Sequence, residues 1–230
     1  MRLISRYTLF SIVFFVLASL QMSPLTAQSQ YFPTAVRVGT DVLGLGQTIF
    51  GDSRQRVEVN GDLAIDKYFL ALDMGIDNLD LQKETFSYSS EGYYFRTGID
   101  VNFMPKDEDH NALFFGVRYA RSYFQDNLQW QAENPYYPIS SISSGNESLR
   151  GSWAELVGGM KVNVWKNLFV GYTVRFKFLR SVKGEDILIP YEMPGYGRFE
   201  SKNRIGFNYQ IHWRIPLRDK MANVSQPSVD

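Results

Sequence analysis

From Val36 onward, apolar and polar residues alternate with a period of two in eight separate runs, the pattern of strands with two unlike faces. The first run sets Val36, Val38, Thr40 and Val42 against Arg37, Gly39 and Asp41; the second sets Val57, Val59, Leu63 and Ile65 against Glu58, Asn60 and Asp62. In the third, Tyr68, Leu70, Leu72, Met74 and Ile76 oppose Ala71, Asp73, Gly75 and Asp77. The fourth is the most regular, with Tyr93, Phe95, Thr97, Ile99, Val101 and Phe103 against Tyr94, Arg96, Gly98, Asp100 and Asn102. Runs over 113–119, 154–164, 168–178 and 205–215 complete the set, and no apolar row carries a charge. The connections alternate too: 66–67, 105–111 and 165–167 are short, whereas 43–55, 78–92, 123–149 and 180–196 are long. Short periplasmic turns and long external loops mark transmembrane barrels, so the pattern predicts an all-β, eight-stranded antiparallel up-and-down transmembrane β-barrel over 28–218. Both termini then fall on the periplasmic side.

Alternation alone does not say which row faces inward, and a secreted soluble barrel binding an apolar ligand would also give eight alternating strands. The glycines point one way. Gly39, Gly75, Gly98, Gly116, Gly159, Gly171 and Gly206 all lie in the polar rows, where a crowded eight-stranded lumen needs small residues and a solvated face does not. The charges point the same way. Asp41, Glu58, Asp62, Asp73 and Asp77 come from strands one to three, with one Arg37; Arg118, Lys161, Arg175, Lys177 and Arg214 come from strands five to eight, with one Glu155. Closing the sheet brings these walls face to face, and charges in so dry a space require partners. The expectation is a closed lumen crossed by salt bridges between the two sets.

Composition narrows the setting. Arg2 and Arg6 precede an apolar run and the small-residue stretch Pro24-Leu25-Thr26-Ala27, which reads as a secretory signal peptide over 1–27. The run is shorter than the roughly 20 residues a spanning helix needs. The chain has no cysteine, so neither a lipidated N-terminal Cys nor a disulfide is available. Removing the signal takes away two of 24 basic residues and none of 24 acidic ones, leaving a net charge of about −2 and making nucleic acid a poor partner. The expected location is the outer membrane, with the polar stretch 219–230 as a periplasmic tail.

Little of the sequence suggests catalysis. His110 lies in the acidic turn Lys106-Asp107-Glu108-Asp109-His110, which lacks the spacing of a calcium loop, and His212 faces inward in the last strand. The lumenal carboxylates have basic partners opposite, and Gly44-Leu45-Gly46 sits in a hairpin rather than between a strand and a helix. No catalytic, cofactor or metal residue is therefore assigned. What stands out is external: Trp130, Tyr136 and Tyr137 in the third long loop and Tyr191 and Tyr196 in the fourth, aromatics beside prolines that suit partner binding at low entropic cost or packing over the mouth. The expected role is a non-enzymatic structural or accessory subunit of an envelope assembly, with outer-membrane lipid and other outer-membrane or periplasmic proteins as partners. The rivals are an enzyme acting on lipid or protein at the external rim and the secreted ligand-binding barrel.

The ending Ile211-His212-Trp213-Arg214-Ile215-Pro216-Leu217-Arg218, with the opening Pro33-Thr34-Ala35-Val36-Arg37-Val38-Gly39-Thr40-Asp41, resembles an uncharacterised family of small outer-membrane β-barrel proteins of Gram-negative bacteria, labelled a domain of unknown function. The resemblance covers most of the mature length and implies location and fold, but no reaction. Pro216 and a polar tail stand where many such barrels end on an aromatic.

Overall fold

The computed structural model of the chain describes residues 32–217, apart from 52, 135–136, 186–187 and 200. The segments expected as a signal peptide (1–27) and a periplasmic tail (219–230) lie outside the described residues, as do Tyr136 and the side chain of Tyr137. The elements are β1 (Ala35–Asp41), α1 (Val42–Phe50), β2 (Arg54–Ile65), β3 (Tyr68–Gln82), β4 (Phe86–Asn102), β5 (Ala112–Asn134), β6 (Tyr137–Trp165), β7 (Leu168–Lys183), the short pair β8 (Glu192–Met193) and β9 (Gly197–Arg198), and β10 (Asn203–Pro216).

Eight of these strands close into one antiparallel barrel in the order β1-β10-β7-β6-β5-β4-β3-β2. Closure is made by the first and last strands, with Ala35 opposite Pro216 and Asp41 opposite Gln210. Both therefore meet at the end that carries the short turns. There Asp66 and Lys166 take positive φ (53° and 46°), the left-handed conformation that lets a two-residue connection reverse the chain. With every strand hydrogen-bonded on both sides, the barrel has no free sheet edge at this level.

The two rows face as the glycines and charges suggest. Along β3, Phe69, Ala71, Asp73 and Asp77 are buried inside, while Tyr68, Leu70, Leu72, Met74 and Ile76 are exposed outside. On β10, Asn208, Gln210 and His212 are buried, and Ile205, Phe207, Tyr209, Ile211, Trp213 and Ile215 are exposed. So continuous an exposed apolar band marks a surface made to meet a membrane or a partner. The band ends sharply at the end opposite the short turns. On β4 and β5 it runs up to Tyr93 and Tyr123, whose rings stack at 5.3 Å, and above them the outward positions become Glu91, Ser89, Gln125 and Asn127.

Two stretches differ from the sequence expectation. Positions 43–55 are not a plain loop: Val42 leaves the first apolar row to begin the helix α1. β1 stops at Asp41, and α1 stands where the strand would continue beside β2. Thr48 Oγ1 accepts a hydrogen bond from the Arg56 backbone N–H at 2.7 Å, so a helix side chain satisfies the β2 edge that β1 leaves open. The second difference concerns 78–92 and 123–149, which are mostly strand. β3, β4, β5 and β6 run on past the apolar band as a four-stranded tongue, with Leu81 opposite Tyr88, Phe86 opposite Trp130 and Trp130 opposite Ile142. Above the band the outward row turns polar and the apolar residues change to the opposite row, as with Phe124, Leu128 and Trp130 on β5 and Leu79 and Leu81 on β3, so the apolar row that announces each strand is broken although the ladder continues.

Candidate functional site

The interior is built from the polar rows, level by level. Nearest the short-turn end, Asp62 of β2 takes Arg37 Nε at 2.8 Å and the ammonium of Lys161, which reaches across from β6. Phe69 and Phe114 wall this level, with the Arg37 guanidinium 4.2 Å from the Phe69 ring and Lys161 Nζ 5.0 Å from that of Phe114. His212 is buried beside it. One level up, Asp73 of β3 collects three guanidiniums: Arg118 Nη1 from β5, Arg175 Nη2 from β7 at 3.1 Å and Arg96 Nε from β4 at 3.4 Å. Arg118 also holds Asp100 at 2.9 Å, and Arg175 holds Glu155 at 3.0 Å.

Above this, Glu58 of β2 bonds the Arg96 guanidinium and accepts the Tyr94 hydroxyl at 2.5 Å. Tyr94 fits only because two glycines flank its ring. A Cβ on Gly75 would stand 2.5 Å from Tyr94 Cζ, and one on Gly195 (φ +76°) would stand 2.5 Å from Cγ. The Trp153 indole donates to Glu155 at 2.7 Å and begins an apolar layer with Phe124, Leu149, Met193 and Tyr196.

That layer is closed from above by the fourth long connection, which folds down into the mouth as β8 and β9. Arg54 joins Asp77 at 2.6 Å and Glu192 at 2.7 Å. Lys177 Nζ donates to the carbonyls of Gly195 and Tyr196 at 2.7 and 3.1 Å. Beside this plug a cavity of about 460 Å3 opens between β2 and β10, with Arg54, Arg56, Lys177 and Arg204 on its wall. The cavity inside the lumen, lined by Asp62, Asp73, Arg118, Lys161 and His212, measures about 10 Å3, room for about one water.

Of the ten residues expected as a lumenal network, nine are buried and Arg214 is half-buried. Their pairing departs from a simple two-wall scheme. Lys177 bonds backbone carbonyls rather than a carboxylate, Asp77 takes Arg54 from the neighbouring strand, and Asp41 accepts from the Asn208 amide at 3.0 Å. The sequence reading passed over Arg96 and Asp100, which hold the centre. They lie in the inward row of the fourth strand, one charge of each sign, so an argument from segregated charges gives them no weight; their place in the alternation was the available signal. Arg54 and Glu192 fell in stretches read as loops.

The aromatics expected on external loops divide. Trp130 is exposed, with Phe86 and Leu128 beside it on the tongue. Tyr191 is half-exposed and meets Tyr88 edge-on at 5.6 Å. Tyr196 does not belong to an external surface: it is 2% exposed and packs against Trp153 at 5.7 Å, because the plug turns it inward. At the foot of the tongue, Asp126 accepts from the Tyr88 hydroxyl at 3.2 Å and the Asn146 amide at 2.8 Å. Burial pushes the Asp126 carboxyl above its ordinary range, and burial beside that carboxylate pushes the Tyr88 hydroxyl up as well. Among the described residues no cluster of His, Asp and Glu is arranged to hold a metal ion.

Comparison with solved structures gives small barrels of low sequence likeness. The N-terminal β-barrel domain of Pseudomonas aeruginosa OprF matches at 10% identity over 80% of this chain and 98% of that one, with a TM-score of 0.33. Ail, the attachment invasion locus protein of Yersinia pestis, matches at 6% identity over 79% and 97%, with a TM-score of 0.40. Neisserial surface protein A matches at 11% identity over 80% and 95%, with a TM-score of 0.37. No curated protein matches the chain. The family described as domain of unknown function DUF6048 matches residues 2–220, nearly the whole length, and the chain belongs to that family.

Proposed function

We propose that the chain is a non-conducting outer-membrane barrel that anchors a rigid external tongue, with a structural or accessory role in an envelope assembly rather than a catalytic one. The observation that carries this reading is the ion-pair core. Lys161–Asp62, Arg96–Glu58 and Arg175–Asp73 each join strands that are not neighbours, so every level of the lumen is bridged. An ion crossing the barrel would have to separate buried pairs that cost several kcal/mol to break, and then displace the Met193–Tyr196 plug. An eight-stranded barrel has just enough interior for side chains, and here it is full.

The outer surface supports the membrane setting. The apolar band of β3 covers Tyr68 to Ile76, and that of β10 covers Ile205 to Ile215, close to the 9–11 residues a tilted strand needs to span a bilayer. Closure leaves no backbone group unpaired toward lipid. On this reading the short turns and both strand termini face the periplasm and the tongue faces outward. It carries Phe86, Leu128 and Trp130 around an open apolar groove of about 340 Å3, beyond the membrane band, where a partner protein would meet them. A soluble barrel carrying an apolar ligand is a poor match, since the interior offers charge and no space.

Two measurements test this. Purified protein in planar bilayers should give no discrete conductance steps, and a photo-crosslinker at Trp130 should trap an envelope protein in cells while one at Val117, in the lipid band, should not. Reproducible large conductance would end the closed-lumen reading, and equal trapping at both positions would end the assignment of partner binding to the tongue.

A further inference from the structure

The rim at the upper margin of the apolar band, from the level of Arg121 and Phe95 through that of Tyr123 and Tyr93 and beyond, is electrostatically lopsided. On the β3–β4 side its outward, exposed positions include Asp80 and Glu91. On the β5–β7 side they include Arg121, Arg150, Arg180 and Lys183, all exposed and none in an ion pair among the described residues, while the exposed carboxylates Glu147 and Glu185 lie beyond them along the chain, farther from the band. The register draws them together. Arg150 lies between Tyr123 and Lys183, and Arg121 lies opposite Ser152, which lies opposite Ser181. The Arg121 guanidinium sits 5.7 Å from the Tyr123 ring, which in turn stacks on Tyr93 at the top of the apolar band.

Two features set this apart from chance surface charge. Arg150 and Lys183 are directly opposed on paired strands, an arrangement that is destabilising in the absence of an anion between them. The backbone also departs from regularity to create it. Ser152 pairs with Ser181 while Trp153 pairs with Leu179, so Arg180 is the extra residue of a β-bulge. Alternation counted from the outward Phe178 would turn Lys183 inward; the bulge flips the parity, sending Val182 against the Trp153 cluster and Lys183 outward beside Arg150.

We propose that the outward faces of β5, β6 and β7 at this rim bind the phosphorylated headgroup of an anionic outer-leaflet glycolipid. The proposal rests on the membrane-spanning reading above. Its chemistry follows from the residues: arginine forks match phosphate oxygens bidentately, and a phosphate between Arg150 and Lys183 replaces repulsion by charge-assisted hydrogen bonds. Depth selects lipid over a soluble anion or an acidic protein. The cations adjoin the Tyr93–Tyr123 pair, where the aromatic girdle of a barrel meets the headgroups.

The test uses full-length folded protein in detergent, with fluorescent bisphosphorylated lipid A, its dephosphorylated form and inorganic phosphate as probes, and R150Q/K183Q as the variant. The phosphorylated lipid should bind at least about tenfold more tightly than the dephosphorylated one, the variant should lose most of that preference, and millimolar inorganic phosphate should compete only weakly. The lipid should raise the melting temperature of the native protein and not that of the variant, while the lipid-free variant should be at least as stable as the native chain. Equal binding of both lipids, or an unchanged preference in the variant, overturns the proposal; full competition by phosphate makes this a soluble-anion site and also overturns it. Insertion into phosphatidylcholine vesicles is scored separately. A protein that inserts but shows no lipid preference fails only the rim proposal, whereas one that does not insert fails the membrane reading itself.

Discussion

Asp73 is the place to probe the interior, because one carboxylate there serves Arg118, Arg175 and Arg96 at once. Asp73→Ala leaves three guanidiniums crowded around a small void. Each keeps a second acceptor, Asp100 for Arg118, Glu155 for Arg175 and Glu58 for Arg96, so the loss is less than three broken pairs. A contact near 3 Å has a gross Coulomb energy of about 5 kcal/mol at an effective dielectric of 20. Removing one partner of a buried pair costs about 3–5 kcal/mol, because the survivor stays desolvated without its counter-charge. We expect Asp73→Ala to fall in that range, a large part of the stability of a domain of this size. Since the penalty comes from orphaned partners, Asp73→Ala/Arg118→Ala should cost less than the two single changes added together, by about 1–3 kcal/mol. Urea unfolding in detergent, followed by tryptophan fluorescence, measures all three variants. Arg150→Gln, on the outer surface, serves as the control that should add to Asp73→Ala within about 0.5 kcal/mol. A cost below about 1 kcal/mol for Asp73→Ala, or strict additivity with Arg118→Ala, would refute an ion-paired lumen.

Three further expectations follow from other parts of the molecule. Val117→Arg, on the exposed apolar face of β5, should cost about 2–4 kcal/mol and abolish heat-modifiable migration on gels; normal folding of this variant would mean that the face does not meet lipid. Gly195→Val combines a left-handed backbone with collision against Tyr94, and should loosen the plug by about 1–3 kcal/mol, read as faster hydrogen exchange over 191–198 with the barrel strands unchanged. The Asp126 carboxyl has its pKa raised by burial, so folding favours its neutral form; that contribution is fully present below the unfolded value near 4 and is lost as pH rises through the higher folded value. Protection factors at the foot of the tongue should thus fall from pH 4 to pH 7 in the native chain, and Asp126→Asn should flatten the change.

The sequence by itself determined the number of barrel strands, which row of each faces inward, and the closed antiparallel order. Period-two patterning has only two faces to offer, and glycine and charge in one row are tolerable only where a lumen is narrow and partners stand opposite. Tyr68 to Ile76 against Asp73 and Asp77 states this without coordinates. What lay beyond the sequence depended on long-range neighbours. The helix α1 exists because β1 ends early and β2 needs a partner for Arg56, a condition set some eight residues away in the chain and visible only when Thr48 is seen bonding it. The tongue is strand because β3, β4, β5 and β6 pair with one another, although above the band the apolar residues change rows and break the pattern of each run. The network is centred on Asp73 and Arg96 rather than split between two walls because barrel closure and strand tilt decide which guanidinium reaches which carboxylate. Likewise, Lys183 points outward only because a bulge at Arg180, invisible to a residue count, shifts the register by one.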